Sequence, residues 1–399
     1  MMESHIIPPP KSNRPPKPKP QNPIESTIRS FFQTLPSALF SEISAPLDLF
    51  ISTSPKRWVI YSPMLLLPSG SFSSPHWISL LSLISLSQKE AFFTQILQSV
   101  SKREGKKLTH LAINAGIPLR EKEKEGGGEE ENILRSPSGL LMLHGDFGPD
   151  FKGDEPTEED FEKAFWVSTK QNGIEQVWAP RWTMFSRGNV KEKARLLGFH
   201  DVVSTESGNG KKEIGKEERR NWTAVDLYAG IGYFVFSYVK MGVGRVMGWE
   251  LNGWSVEGLR RGAIANGWGI RVVKRGDVVE EVGDERIVVF LESNVEAERK
   301  LETITGFGSV KHVNCGFLPT SEPTWKSAMN ILGEDGWLHL HENVGIADVE
   351  RRKGEIEAMF QTWLTERADG RNVTVEHVEF VKTFAPDVWH CVFDVHVGR

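Results

Sequence analysis

The chain has 399 residues, 39% of them apolar and 10% aromatic, enough for one large domain with a smaller one beside it. Its formal net charge of −5 gives no electrostatic signature of nucleic-acid binding, although local basic patches matter more than the total. The two cysteines, Cys315 and Cys391, form no CxxC pair, which argues against a disulfide scaffold or zinc site and for a reducing compartment.

Residues 1 to about 28 carry prolines from Pro8 through Pro23 among Lys, Asn and Ser. Such a segment cannot bury enough apolar surface to offset the entropy of ordering, so a disordered tail is expected. It lacks the apolar stretch of a signal peptide. The longest apolar-leaning run, Trp77 to Leu86, is broken by serines and too short to span a bilayer. The expectation is a cytoplasmic protein, with a half-buried helix at that run. A first domain is expected over 29–170. It has strands at Trp58–Tyr61 and Met64–Leu67, broken by Pro63 and ended by Pro68-Ser69-Gly70, and a helix at Phe92–Val100. Arg120–Asn132 has no apolar face and reads as an exposed, mobile loop.

The second domain is expected over 171–399. It opens with an extended stretch, Val177–Phe185, a turn at Ser186-Arg187-Gly188-Asn189, and a helix Val190–Leu197 capped by Asn189. A flexible Gly-, Lys- and Glu-rich insert follows near 204–220. Strands are then predicted at Ala224–Tyr228, Arg245–Glu250, Arg286–Glu292, Val310–Phe317 and Gly336–Val344. Helices are predicted at Tyr233–Lys240, Ser255–Asn266, Glu296–Thr303, Trp325–Leu332 and Glu350–Glu366. Two strand-like runs, Asn372–Thr383 and Val388–Val397, close the chain. The alternation implies a parallel sheet with right-handed crossovers. The closing hairpin points to an α/β, Rossmann-like methyltransferase fold with a smaller N-terminal α+β domain, an analogy of fold that does not settle function.

The strongest local signal is Asp226-Leu227-Tyr228-Ala229-Gly230-Ile231-Gly232-Tyr233-Phe234, placed where the first strand of this region turns into its first helix. Gly230 and Gly232 let backbone approach a ligand closely, and the helix start offers free N–H groups. Glu250 ends the next strand, where a carboxylate accepts both hydroxyls of a ribose. The third glycine of a dinucleotide fingerprint is absent, which together with the hairpin favours S-adenosylmethionine over NAD. Ser293-Asn294, after the third predicted strand, are candidates to face the adenine; Asp277 is the rival.

These residues, with the run Gly248–Ala263 (GWELNGWSVEGLRRGA), resemble the tRNA wybutosine-synthesizing protein 2 family, the tRNA(Phe) 4-demethylwyosine aminocarboxypropyltransferases. Three further stretches are similar: Met184–Lys193 (MFSRGNVKEK), His312–Ser321 (HVNCGFLPTS) and His339–Val344 (HLHENV). The resemblance spans Trp178 to the C-terminus and is fainter before it. It implies cofactor contacts at Ser186, Lys193, Glu250, Ser293 and Asn294. Two positions depart from the family pattern: Asn252-Gly253-Trp254 stands for Asn-Pro-Trp, and Ser293-Asn294 for Asp-Asn. The first loosens a turn, and the second removes a carboxylate near the adenosine.

The activity implied is transfer of the 3-amino-3-carboxypropyl group of S-adenosylmethionine to C7 of 4-demethylwyosine at anticodon-loop position 37 of tRNA(Phe). Positioning of the acceptor against the arm would supply much of the rate. Arg187 and Lys193 are candidate partners of the arm's carboxylate. A tRNA guanine-37 N1-methyltransferase shares fold and target, although Asn314–Pro319 (NCGFLP) is longer than that family's Asn-Leu-Pro run. An inactive RNA-binding scaffold of the same fold is the third reading. No membrane or metal enters the expectation: His339 and His341 share one strand face but lack a third ligand. Cys315 reads as a small buried side chain, and Trp178, Trp182, Trp254 and Trp325 as mostly core.

Overall fold

The computed structural model describes residues 21–399 apart from 38, 40–42, 44, 119, 123–128, 152, 154 and 202–213, and the backbone alone at 121–122 and 129–130. The N-terminal domain begins earlier than expected. Asn22 caps a helix, α1 (Pro23–Phe32), by accepting the Ile24 N–H at 2.9 Å. Ile24, Ile28, Phe31 and Phe32 share one helical face and are buried, so the tail expected to reach residue 28 ends before α1; 1–20 lie outside the described residues.

Then follow α2 (Leu47–Ser52), β1 (Val59–Tyr61), β2 (Met64–Leu67), α3 (Pro75–Leu83), α4 (Leu86–Glu104), β3 (His110–Ile113) and β4 (Leu141–His144), with a sheet of order β1-β2-β3-β4. A Ser85/Gln88 capping box starts α4 and a left-handed Gly105 ends it, so it runs beyond the predicted Phe92–Val100 on both sides. Within the predicted loop, Arg120–Lys122 and Glu129–Glu131 instead pair as two short antiparallel strands, and 123–128 lie outside the described residues. Backbone pairing needs no apolar face, which is why the charge pattern missed it.

A short helix, α5 (Glu158–Lys163), leads to a hairpin, β5 (Val167–Gln171) and β6 (Ile174–Trp178), that straddles the expected boundary at 170. Its Ser168 N–H donates to Ser62 O of the first domain at 3.0 Å. Only the first two residues of the predicted extended stretch are strand. A 3-10 turn at Arg187–Asn189 runs directly into α6 (Val190–Leu197), and Asn189 makes no side-chain cap. Most of the predicted insert near 204–220 lies outside the described residues, and Lys216–Arg219 is one helical turn.

The large sheet is built from β7 (Trp222–Asp226), α7 (Val235–Met241), β8 (Arg245–Glu250), α8 (Gly253–Ala265), β9 (Ile270–Val273), β10 (Ile287–Leu291), α9 (Ala297–Thr303), β11 (Ser309–Cys315), α10 (Trp325–Ile331), β12 (Gly336–Gly345), α11 (Val349–Glu366), β13 (Asn372–Ala385) and β14 (Val388–Gly398). The order is β9-β10-β8-β7-β11-β12-β14-β13; β7 to β12 run parallel, and β14 lies antiparallel between β12 and β13. Each predicted strand and helix of this region is present, and β9, a short half-buried edge, is the addition. Alternate residues enter opposite cores: Val225, Met247 and Val288 pack on one face, Ala224, Val246 and Val289 on the other. Both faces are covered by helices, and the order reverses between β7 and β11, the place where open α/β sheets hold ligands.

Candidate cofactor and acceptor site

The loop after β7 is organised by three strand ends. Asp226 is fully buried, and its Oδ1 accepts from Asn314 Nδ2 of β11 at 3.0 Å and from the Tyr228 N–H at 3.1 Å. Its Oδ2 is buried with no partner among the described residues. Burial, reinforced by the nearby Glu250 charge and opposed by these hydrogen bonds, pushes its pKa up to about 6.

Gly230 and Gly232 have φ of +54° and +89°, a region where side chains are strained. A Cβ on Gly232 would lie 2.7 Å from the Phe236 ring. The Gly230 N–H donates to Glu250 Oε2 at 2.8 Å, and Glu250 Oε1 accepts the Asn252 N–H at 2.8 Å. Glu250 therefore closes the glycine turn from β8, and burial raises its pKa despite these hydrogen bonds. Next to it, Asn252 caps α8 by accepting the Trp254 N–H at 3.0 Å. Gly253 does not leave this turn loose, because Pro156 packs 3.0 Å from where a Cβ would stand.

Asn294 joins the loop through its Nδ2, which donates to Leu227 O at 2.8 Å. Ser293 accepts the Val295 N–H at 3.3 Å and starts a 3-10 turn. Asp277 instead caps its own turn at Lys274, and shares with Ser293 a cavity of about 600 Å³ beyond β10. Ser293 and Asn294 directly follow β10, which pairs with β8 in the sheet.

Ser186 and Lys193 come to the loop through Tyr233, a residue of the motif whose role the sequence reading missed. The Ser186 N–H donates to Tyr233 Oη at 2.5 Å, and Tyr233 donates to Met184 O at 2.7 Å. Phe185 lies between the Trp178 and Tyr233 rings, at centroid distances of 4.6 and 5.9 Å. Lys193 is buried, with Nζ 4.9 Å from the Phe185 ring centroid, and donates to Gln171 Oε1 at 2.8 Å and Gln176 Oε1 at 3.0 Å. With neutral partners only, burial lowers its pKa to about 8. The β5–β6 glutamines that hold it had no signal in sequence. Arg187 is exposed and separate, on the wall of a cavity of about 890 Å³.

In the loop after β11, Phe317 stacks on Tyr228 at 5.1 Å, and Arg135 of the N-terminal domain lies 4.9 Å from the same ring. Arg135 Nη2 also donates to Leu318 O at 2.7 Å. Asn132 braces that loop through Pro118 O and Ser136 O, at 3.0 and 2.9 Å. Cys315 is buried as expected, and desolvation pushes its thiol up to about 12, removing it as a nucleophile. His339 bonds to His312 and Asp394, whereas His341 bonds to His390, so the two histidines serve different pairs. Trp178, Trp254 and Trp325 are core, and half-buried Trp182 stacks on Trp254 at 5.3 Å.

The parallel sheet with an antiparallel β14, the glycine turn and Glu250 together define an S-adenosylmethionine-dependent transferase of Rossmann-like fold. The residues fit that cofactor: the left-handed glycines admit backbone contact, Glu250 offers ribose acceptors, and the orphaned Asp226 oxygen leaves a polar atom beneath the loop. No family model matches the chain. The tRNA wybutosine-synthesizing protein 2 of Schizosaccharomyces pombe is 42% identical over 345 residues, covering 86% of this chain and 72% of that protein. Its Saccharomyces cerevisiae namesake is 32% identical over 389 residues, covering 86% and 74%. The chain belongs to the tRNA wybutosine-synthesizing protein 2 family. Two solved structures share the fold: Pyrococcus horikoshii TYW2 in complex with MeSAdo, and Trm5b from Pyrococcus abyssi. The first has a TM-score of 0.53 and 17% identity, covering 94% of this chain and 99% of that one. The second has a TM-score of 0.52 and 13% identity, covering 89% and 78%.

Proposed function

We propose that the protein transfers the 3-amino-3-carboxypropyl group of S-adenosylmethionine to C7 of 4-demethylwyosine at position 37 of tRNA(Phe), a step of wybutosine biosynthesis. The observation that carries this reading is the match at 42% identity across 86% of the chain, which takes in both the glycine loop and the Arg135 loop. When bound, the cofactor would supply a sulfonium-activated carbon for the new C7–carbon bond in exchange for its carbon–sulfur bond, with methylthioadenosine as the leaving group and solvent taking the C7 proton.

The chain's own residues hold and orient. Asp226, Gly230 and Gly232 shape the loop, Glu250 takes the ribose, and Ser293 and Asn294 face the adenine. Ser186 and Lys193 hold the methionine end, Lys193 as a cation with no carboxylate partner among the described residues. Arg135 and Phe317 line the acceptor side, where positioning supplies the rate. We assign the N-terminal domain, from α1 to about residue 170 (29–170 by sequence), to gripping the tRNA, the remainder (171–399) to catalysis, and the cytoplasm as the compartment. Among the described residues, no helix is long and apolar enough to cross a membrane.

The test is incubation with S-adenosylmethionine and tRNA(Phe) carrying 4-demethylwyosine, followed by mass spectrometry of the nucleosides. An aminocarboxypropyl mass gain with methylthioadenosine released is expected. A methyl gain with S-adenosylhomocysteine would overturn the reading in favour of a methyltransferase. Loss of cofactor binding would favour an inactive scaffold.

A further inference from the structure

A cavity of about 890 Å³ lies not over the glycine loop but between the N-terminal domain and the Ser186–Gly188 turn. Five cations line it, Lys56, Arg57, Arg103, Arg187 and Lys382, with no Asp or Glu among the lining residues. The whole chain carries a net charge of −5, so this is a local inversion of sign. Lys56 is neutralised by Glu25 at 2.5 Å, and Arg103 is 3.7 Å from Glu104. Arg57, Arg187 and Lys382 have no ion-pair partner among the described residues.

Lys382 sits on β13 in a row with His390 of β14 and Asn343 of β12, so the three share one face of the sheet. Behind the cavity wall, the Asn343 amide oxygen and nitrogen and His390 Nδ1 are buried without hydrogen-bond partners among the described residues. Desolvation lowers the Lys382 pKa, the response of a cation that lacks a counter-charge. Cations left without counter-charges around one cavity call for a ligand rich in anionic oxygens. Half-buried Trp58 and Phe185 place rings between the cations, over buried Tyr61 and Trp178. Rings interleaved with cations suit single-stranded RNA, whose bases stack while its phosphates pair. Ser186 lines the same cavity, so it leads to the end of the site assigned to the cofactor's methionine.

We propose that this groove seats the phosphodiester backbone of the tRNA anticodon loop, with Arg57, Arg103, Arg187 and Lys382 as its phosphate-binding cations. The assignment rests on the tRNA reading above and adds the surface that carries it.

The test measures binding of a tRNA(Phe) transcript across a salt series, for wild type and the triple variant Arg57→Gln, Arg103→Gln, Lys382→Gln. Cofactor affinity is followed in parallel by calorimetry. The variant is expected to bind RNA more weakly, with a log–log salt slope smaller by about 2, as three lost single-strand phosphate contacts require. Its cofactor affinity is expected to be unchanged. Wild-type RNA affinity and slope in a variant that still binds cofactor would overturn the groove and leave the transferase reading intact. Should the triple variant not fold, exposed Arg57 alone decides. Arg57→Gln is expected to weaken binding and Arg57→Lys to restore it, and equal affinities for the two overturn the proposal. Failure of wild type to bind the transcript would overturn the tRNA reading as well.

Discussion

Tyr233→Phe isolates the coupling between the glycine loop and the Ser186 turn. The substitution keeps the ring that stacks near Phe185 and lies 5.2 Å from Lys193 Nζ, and removes only the hydroxyl. Two hydrogen bonds disappear, from the Ser186 N–H and to Met184 O, both part-buried. At roughly 1 kcal/mol each, the loss is about 2 kcal/mol, falling on the docked turn rather than on the sheet cores. If Ser186 holds the cofactor only when docked, that energy appears as about a 30-fold weaker S-adenosylmethionine affinity. Calorimetric titration reads the affinity, and amide exchange at 184–189 reads the docking. Unchanged affinity together with unchanged exchange protection would refute the coupling. Weakened affinity with a melting temperature close to wild type is the outcome the geometry requires.

Gly232→Ala forces a Cβ into a φ of +89° and to within 2.7 Å of the Phe236 ring, and is expected to cost roughly 2–4 kcal/mol in thermal unfolding. A cost below about 0.5 kcal/mol would show that the loop relaxes freely. Acidification from pH 7 to 4 is expected to destabilise the fold. Burial holds His390 at about 4, and burial with neighbouring imidazoles holds His312 and His341 well below the usual histidine value. The unfolded chain therefore takes up these protons first as pH falls below about 6.5. Asp226 acts in the opposite sense: its raised pKa makes the fold bind a proton more tightly, which favours it as pH falls from about 6 toward about 4. Asp226→Asn is expected to steepen the acid loss, measured by denaturant titration at several pH values. Cys315 and Cys391, buried with thiols pushed up to about 12 and about 11, are expected to resist a thiol reagent until the protein is unfolded. Rapid labelling of the native protein would contradict their burial.

Much of the catalytic domain was legible in the sequence because its signals are local. Parallel strands covered on both faces read as continuous apolar runs, as in Ile287–Leu291, and Gly230 and Gly232 declare a turn that only glycine adopts without strain. Asp226 and Glu250 followed from their places at strand ends. The edge strand Ile270–Val273 was missed because only Val273 of its four residues is buried, and helix α1 because prolines masked its apolar spacing. Tertiary structure alone decided what lies between distant segments. Tyr233 had to be folded against Ser186, 47 residues away, and Arg135 against Leu318, 183 residues away, before either acquired a role. Lys193 was marked as a candidate cation by resemblance, but only the packing of the β5–β6 hairpin gave it two glutamines in place of a carboxylate. The basic groove was invisible in a chain of net charge −5, because its five cations come from four separate stretches that no sequence window brings together. Hydrogen bonding within a turn and the periodicity of a strand are written in neighbouring residues. A field or a cavity is a sum over residues that meet only when the chain has closed.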